Sequence, residues 1–188
     1  MSQYDKLEKI MEKRLKKSRF LHTKGVVNTA VKLAKIHGVD EKSAALAALL
    51  HDYGKHLRRD ELLEYAKEFG IGLDEVTKNS VSLLHGEVGA ELVCKDLDIC
   101  DEDILNAIRY HTYGRLGMSQ LEKIIYIADA IEPGRDYPGV ERLRKLAEKD
   151  LDGALKKSIS DAIQFVVKKG HALHYNTIEL WNELITKE

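Results

Sequence analysis

The stretch that decides the fold is Ala44-Ala45-Leu46-Ala47-Ala48-Leu49-Leu50-His51-Asp52. It begins as a run of small and aliphatic side chains and ends in a histidine next to an aspartate. A helix that is apolar on all sides is a buried helix, so this one should carry His51 and Asp52 into the interior. A buried carboxylate is costly without a partner. A metal ion would satisfy both residues, because imidazole and carboxylate are ordinary ligands of first-row cations.

The composition is that of a globular protein, with 188 residues, 44% hydrophobic residues and 2 prolines. This length is enough for one domain with a sizeable core. The net charge of -1 gives no sign of the basic face that nucleic acids require. No apolar run approaches the roughly 20 residues of a membrane span. We therefore expect neither a nucleic acid nor a membrane as a partner.

Two further features favour a cytoplasmic protein. The segment from Met1 to Lys17 alternates charged and apolar residues and lacks the apolar core of a signal peptide. The two cysteines, Cys94 and Cys100, do not resemble a secreted disulfide framework. We expect both to be free thiols in a reducing compartment.

Apolar residues recur at helical spacing along the whole chain, and no segment shows the period-two alternation of a strand. Ser119 with Glu122 three residues later predicts a capping box and the start of a helix. The pattern predicts an all-α protein, one helical domain over 1–188. We expect its core at about 19–135, with C-terminal helices at 140–186 packed on it.

The first and last predicted helices each have an apolar face. The amphipathic first helix, from Leu7 to Leu15, either covers the core or forms a dimer contact. In the last helix the periodicity predicts an inward face made of Ile178, Trp181, Leu184 and Ile185.

Four polar residues stand at interior positions or helix ends of the predicted pattern: His22, His51, Asp52 and Asp129. Asp129 lies in the apolar run 124–131, where a carboxylate needs a partner. A single histidine or aspartate of this kind is commonly a hydrogen-bonded core residue. All four together, on three helices, favour a metal site. Two histidines and two aspartates suit Fe, Mn, Co or Zn without selecting among them.

The order of these residues resembles that of the HD-domain metal-dependent phosphohydrolases. Further stretches resemble the YqeK-type family within that superfamily, and the resemblance runs from about Arg19 to Asn182. These stretches are Leu50-His51-Asp52-Tyr53-Gly54-Lys55, His85-Gly86-Glu87-Val88-Gly89-Ala90, His111-Thr112, Asp129-Ala130-Ile131-Glu132-Pro133-Gly134-Arg135 and Pro138-Gly139-Val140.

The resemblance implies an HD-domain helical bundle and a symmetrical bis(5'-nucleosyl)-tetraphosphatase. Such an enzyme cuts diadenosine tetraphosphate into two ADP. It implies His22, His51, Asp52 and Asp129 as ligands of a divalent transition metal. Iron is the metal we expect, with manganese, cobalt and zinc as alternatives. A homodimer is compatible with the sequence but is not specified by it.

Phosphate chemistry suggests which other side chains take part. Charge builds on phosphate oxygens during cleavage, so cations must lie nearby. Arg19, Lys55 and Arg135 are our candidates, and the hydroxyl of Thr112 can donate to phosphate.

Four residues are candidates for catalysis. Asp52 and Asp129 can hold the attacking water as well as the metal. His85 and His111 can contact phosphate, act as general acid or complete a second metal site. We favour substrate contact for these two histidines.

One loop departs from the family pattern. Before the last helix the family commonly has a proline, whereas this chain reads His174-Tyr175-Asn176-Thr177. We expect these four residues to contact the nucleotide.

Other functions remain open from the sequence alone. Another HD phosphohydrolase, such as a nucleotidase or a nucleoside-triphosphate hydrolase, would share the quartet. A regulatory nucleotide-binding module with weak turnover is a further possibility, and the intact quartet argues against it. A purely structural helical domain would leave His51, Asp52 and Asp129 unexplained.

Overall fold

The computed structural model describes residues 2–186, so Met1, Lys187 and Glu188 of the predicted domain lie outside it. These residues form α-helices joined by short loops, together with one 3₁₀ helix at Val81–Leu84. The α-helices are α1 (Gln3–Arg14), α2 (Lys17–His37), α3 (Glu41–Leu50), α4 (Arg59–Glu68), α5 (Glu75–Asn79), α6 (His85–Leu97), α7 (Glu102–Arg109), α8 (Gln120–Ile131), α9 (Val140–Ala147), α10 (Leu151–Lys168) and α11 (Tyr175–Thr186).

The all-α prediction is confirmed, and α3 lies at the centre of the fold. Asp40 caps it by accepting a hydrogen bond from the backbone N–H of Ser43 at 2.7 Å. Ala47, Ala48 and Leu50 are fully buried, because α3 packs against α1, α2, α7 and α8. A helix surrounded in this way needs apolar residues on every side.

The predicted capping box of α8 is also present. Ser119 Oγ accepts from the backbone N–H of Glu122 at 3.1 Å, and Glu122 Oε1 accepts from the backbone N–H of Ser119 at 3.0 Å. Arg115 pairs with the buried Glu122 carboxylate at 2.6 Å. The start of α8 is thereby fixed, and α8 runs along α2 and α7 towards Asp129.

The first helix covers the core. Leu7, Met11 and Leu15 are buried, and α1 packs against α3 and α2. At the other end of the chain α10 packs on α8, and α9 and α11 pack on α10. The assignment of all 188 residues to one domain remains a prediction.

The inward face predicted for α11 is wrong in part. Thr177 and Leu180 are its buried residues, whereas Ile178 and Ile185 are each 39% exposed. The hydroxyl of Thr177 donates to the backbone carbonyl of Tyr113 at 2.9 Å and sets the rotation of the helix. Leu180 then lies against Gly114, where a Cβ would overlap its Cδ2.

The expectation of two free thiols is wrong as well. The structure joins Cys94 and Cys100 in a disulfide, with their Cα atoms 4.7 Å apart. Asp98, at the end of α6, has a left-handed φ of 55° that turns the chain back. This turn brings Cys100 to the last turn of α6, which sequence spacing alone does not reveal.

None of the helices in the described part of the chain is long and apolar enough to cross a membrane.

The position of α1 gives a stability prediction. Met11→Ala should lower the free energy of unfolding by about 2–5 kcal/mol, because it leaves a cavity at a fully buried site. Ile10→Ala, at a neighbouring position that is 37% exposed, should change it by less than about 0.5 kcal/mol. Urea unfolding of the three proteins measures both values. Equal effects would contradict the packing of α1 on the core.

Candidate metal centre

His51 and Asp52 lie directly after α3 and are 0% and 1% exposed. The packing of α3 therefore delivers both side chains to the interior, as the sequence predicts. His51 Nδ1 donates to the backbone carbonyl of Ala48 at 2.7 Å. Since that nitrogen carries the proton, Nε2 of the neutral ring presents a lone pair on the opposite side.

His85 and His111 are held in the same way. His85 Nδ1 donates to the carbonyl of Ser82 at 2.6 Å, and His111 Nδ1 donates to the carbonyl of Ile108 at 2.7 Å. Each acceptor lies three residues earlier in the chain, at the end of a helical turn. Both rings are buried, with side-chain exposures of 3%. Their Nε2 atoms lie 3.1 Å apart.

His22 comes from the first half of α2 and faces Asp129 near the end of α8. Its Nε2 lies 3.0 Å from Asp129 Oδ1, and its Nδ1 lies 3.1 Å from Glu132 Oε1. The contact between α2 and α8 therefore brings the first and last residues of the predicted quartet together.

The Nε2 atoms converge on the two aspartates. His51 Nε2 lies 3.3 Å from Asp52 Oδ2, and His85 Nε2 lies 3.4 Å from Asp52 Oδ1. Three buried side-chain atoms of the described residues have no hydrogen-bond partner: His22 Nε2, His51 Nε2 and Asp52 Oδ2. A lone pair that faces a carboxylate oxygen needs a proton or a metal cation between them.

Two groups of these atoms are compact enough to hold a metal ion. One consists of His22, His51 and Asp129, and the other of His51, Asp52 and His111. Within each group the ligand atoms lie within 4.8 Å of one another. The residues therefore fit a divalent cation, and the predicted quartet is brought together with His111 beside it.

The electrostatics of the centre point the same way. Burial opposes ionisation of Asp52, but His51 and His85 outweigh it and lower the pKa of Asp52 well below its usual range. Burial would lower the pKa of His51, and the Asp52 charge instead raises it. Burial and the neighbouring His85 and His51 lower the pKa of His111 to about 3. The cluster therefore combines ionised carboxylates with an imidazole that stays neutral near pH 7.

The three predicted phosphate-binding cations lie around the cluster. Arg19 Nη1 is 3.2 Å from Asp52 Oδ2, and Arg135 Nη2 is 2.7 Å from Asp129 Oδ1. Each arginine side chain is 38% exposed, so both can reach an incoming anion. Lys55 Nζ lies 3.4 Å from His85 Nε2. The hydroxyl of Thr112 lies 3.3 Å from His111 Nε2.

Of the four residues expected to contact the nucleotide, His174 directly precedes α11 and the other three form its first residues. The ring of His174 stacks on Tyr113 at 3.9 Å between centroids, and Thr177 donates to the Tyr113 carbonyl. Asn176 donates its backbone N–H to His174 Nδ1 at 3.2 Å. Tyr175 is 53% exposed.

Sequence reasoning missed Glu132, whose side chain is 6% exposed and contacts His22. Glutamates are mostly exposed in folded proteins, so Glu132, directly after an apolar helix and before Pro133-Gly134, gave no local sign of burial. Glu132 was overlooked because it does not belong to the predicted quartet of metal ligands.

A helical bundle that gathers a histidine, a His-Asp pair and an aspartate from α2, α3 and α8 defines the class of HD-domain proteins. The sequence model of the family described as HD domain matches residues 19–134.

Several proteins are similar over nearly the whole chain. "Bis(5'-nucleosyl)-tetraphosphatase, symmetrical" of Bacillus subtilis is 43% identical over 176 residues, 94% of either chain. The protein of the same name from Halalkalibacterium halodurans is 40% identical over 179 residues, 95% of either chain. A crystal structure from Clostridium acetobutylicum, described as a predicted HD superfamily hydrolase involved in NAD metabolism, is 46% identical with a TM-score of 0.96 and covers 100% of both chains.

The chain thus belongs to the HD-domain family and, within it, to the family of the symmetrical bis(5'-nucleosyl)-tetraphosphatases, as its motifs predict.

The charge balance of the centre predicts stabilisation by metal. A divalent cation at 100 times its dissociation constant should raise the free energy of unfolding by about 2.7 kcal/mol, because it binds only the folded chain. Chelator should reverse the effect. Asp129→Ala should abolish it, whereas Asp152→Ala, at a surface carboxylate paired with Lys123, should retain it. Thermal unfolding with and without metal measures this, and an equal shift in both variants would contradict the assignment.

Proposed function

We propose that the protein is a metal-dependent hydrolase that cleaves diadenosine tetraphosphate symmetrically into two ADP. The proposal rests on one observation. Arg19 and Arg135 lie at the edge of a His/Asp cluster that could hold a metal ion. The relatives that share nearly the full chain are named for this activity.

His22, His51, Asp52 and Asp129 would hold the metal, for which iron is our first choice and manganese, cobalt or zinc the alternatives. A divalent ion in such a site supplies Lewis-acid polarisation of a phosphoryl oxygen and a water that is nucleophilic near neutral pH.

The reaction consumes one water. The water oxygen bonds to one of the two inner phosphorus atoms. The bond between that phosphorus and the oxygen that bridges it to the other inner phosphorus breaks. The departing ADP keeps the bridging oxygen, while the other ADP gains the water oxygen as part of its terminal phosphate. Asp52 and Asp129 are ionised and lie inside the cluster, so either can accept a hydrogen bond from the attacking water and orient it.

The cations bind the phosphate chain. Arg135 donates to the backbone carbonyl of Asp129 at 2.9 Å through Nε and to its carboxylate through Nη2. Its guanidinium is therefore fixed in direction before substrate arrives, which favours charge stabilisation. Arg19 and Lys55 lie on the Asp52 side, and Thr112 adds a hydroxyl donor. The chain of four phosphates can thus contact positive charge on both sides of the centre.

His85 and His111 have two roles compatible with their geometry. Their facing Nε2 atoms can share one proton and deliver it to the departing ADP, or to phosphate oxygens. The grouping of His111 with His51 and Asp52 favours instead a second cation. Metal analysis decides between them, since one ion per chain supports the proton role and two ions support the second cation.

The remaining proposals concern the surroundings of the site. His174, Tyr175, Asn176 and Thr177 would contact a nucleoside end of the substrate, with the exposed Tyr175 ring available for base stacking. We propose a cytoplasmic enzyme that uses neither nucleic acid nor a membrane and can form a homodimer.

Product identity tests the reaction. In water enriched in ¹⁸O the metal-loaded protein should convert diadenosine tetraphosphate into ADP alone, with one label in the terminal phosphate of half the molecules. Chromatography with mass spectrometry reads both results. Production of ATP and AMP would refute symmetrical cleavage. Faster turnover of ATP, a nucleoside monophosphate or NAD would favour another HD phosphohydrolase.

Arg135 gives a residue-level prediction. Arg135→Ala should lower kcat/KM for diadenosine tetraphosphate about a hundredfold, because it removes a fixed charged donor from the phosphates. Arg142→Ala, at an exposed position of α9, is the matched control and should leave kcat/KM unchanged. Steady-state kinetics at saturating metal measure both. Equal values for the two variants would exclude Arg135 from phosphate binding.

A further inference from the structure

Glu132 is a buried carboxylate outside the predicted metal-binding quartet. It follows the last residue of α8, and its side chain is 6% exposed. Glu132 Oε1 lies 3.1 Å from His22 Nδ1, and Oε2 accepts from the backbone N–H of Gly134 at 2.6 Å. Each carboxylate oxygen therefore has one hydrogen-bond donor, and Arg135 Nε lies farther away, 4.0 Å from Oε1.

Two glycines make room for this carboxylate. A Cβ on Gly25, inside α2, would overlap Glu132 Oε2. A Cβ on Gly134 would come within 2.9 Å of Glu132 Oε1, which is too close for an ordinary contact. Glycine in the middle of a helix costs about 1 kcal/mol relative to alanine, so Gly25 needs a local reason. The space for Glu132 supplies it.

Arg144 fixes the backbone around Glu132 by hydrogen bonds. Its Nε donates to the carbonyl of Ile131 at 2.8 Å, and its Nη2 donates to the carbonyls of Glu132 and Arg135, also at 2.8 Å. The end of α8 and the turn after it are therefore fixed, and with them the direction of the Glu132 side chain.

His22 has a side chain, Glu132, as the partner of its Nδ1 because His22 lies inside α2. His51, His85 and His111 donate through Nδ1 to backbone carbonyls at the ends of helical turns. His22 is inside α2, where the backbone carbonyls serve the helix itself. The carboxylate of Glu132, which lies beyond the end of α8, takes the place of such a carbonyl as the acceptor for its Nδ1 proton.

We propose that Glu132 is a positioning residue that fixes the Nδ1–H tautomer of His22 and so keeps Nε2 free to bind metal. This inference rests on the proposed role of His22 as a ligand. A carboxylate accepts from both His22 and Gly134, whereas an amide carries donors on one side. A glutamine here either opposes the Gly134 N–H with its own N–H groups or forces His22 Nδ1 to accept. In the second case Nε2 becomes protonated and its lone pair is lost.

The test compares Glu132→Gln with Glu122→Gln, its matched control. Glu122 is also a buried carboxylate of α8, 1% exposed, but it pairs with Arg115 at the opposite end of the helix. Manganese affinity is measured by calorimetry on metal-free protein. We expect affinity to fall at least about tenfold in Glu132→Gln and to equal wild type in Glu122→Gln. Wild-type affinity in Glu132→Gln would overturn the inference.

The tautomer is read directly by ¹⁵N chemical shifts of the His22 ring in metal-free protein. Wild type and Glu122→Gln should show a protonated Nδ1, and Glu132→Ala, which leaves no acceptor at this position, should lose the preference for that state. This measurement tests the role of Glu132 separately from the proposed hydrolase function. A wild-type protein that binds no metal defeats the proposed function, while the shift of His22 still decides the role of Glu132.

Gly25→Ala provides a second variant that keeps the carboxylate but displaces it. Alanine in place of a helical glycine ordinarily stabilises a helix. Here it should weaken manganese binding at least about tenfold, because it displaces the carboxylate that orients a metal-binding histidine. Unchanged affinity would count against the inference even if Glu132→Gln failed to fold.

Discussion

The structure depends on one electrostatic constraint, namely that imidazole lone pairs face carboxylate oxygens at and beside the buried His51-Asp52 pair. His22 and His51 present Nε2 to Asp129 and Asp52 at 3.0 and 3.3 Å. Such an arrangement is unfavourable without positive charge between the atoms. A proton on His51 can supply that charge, because the Asp52 carboxylate raises the pKa of His51, but it costs the ring its free Nε2 lone pair. A metal cation supplies it without that cost and also carries the Lewis-acid chemistry that phosphate cleavage requires.

The helices are arranged so that this constraint is met from several directions. The second half of α3 is buried and leads into His51-Asp52, while α2 and α8 bring His22 and Asp129 to the same point. Three rings are oriented by carbonyls of their own helical turns. The fourth, His22, is oriented by Glu132 across the α2–α8 contact. Fixed rings reduce the reorganisation needed when metal and substrate bind.

Local sequence signals predicted the helices because helices have short-range causes, whereas the His/Asp residues that the fold brings together were expected from the resemblance to a known family. The apolar run before His51 and the Ser119–Glu122 capping box each act within one helix. The Cys94–Cys100 disulfide and the rotation of α11 depended on a left-handed turn at Asp98 and on the contact of Thr177 with Tyr113. These are tertiary contacts, which periodicity does not encode. Glu132 escaped for the same reason, because its partner lies 110 residues away.

The central claim is that metal, not protons, holds the His/Asp cluster together. Anomalous diffraction from crystals of protein purified without added metal tests it most directly. We expect an anomalous peak for a first-row transition metal about 2.0–2.3 Å from His22 Nε2, His51 Nε2 and Asp129. A well-ordered cluster with no anomalous scatterer and with the imidazoles hydrogen-bonded to the carboxylates would contradict it.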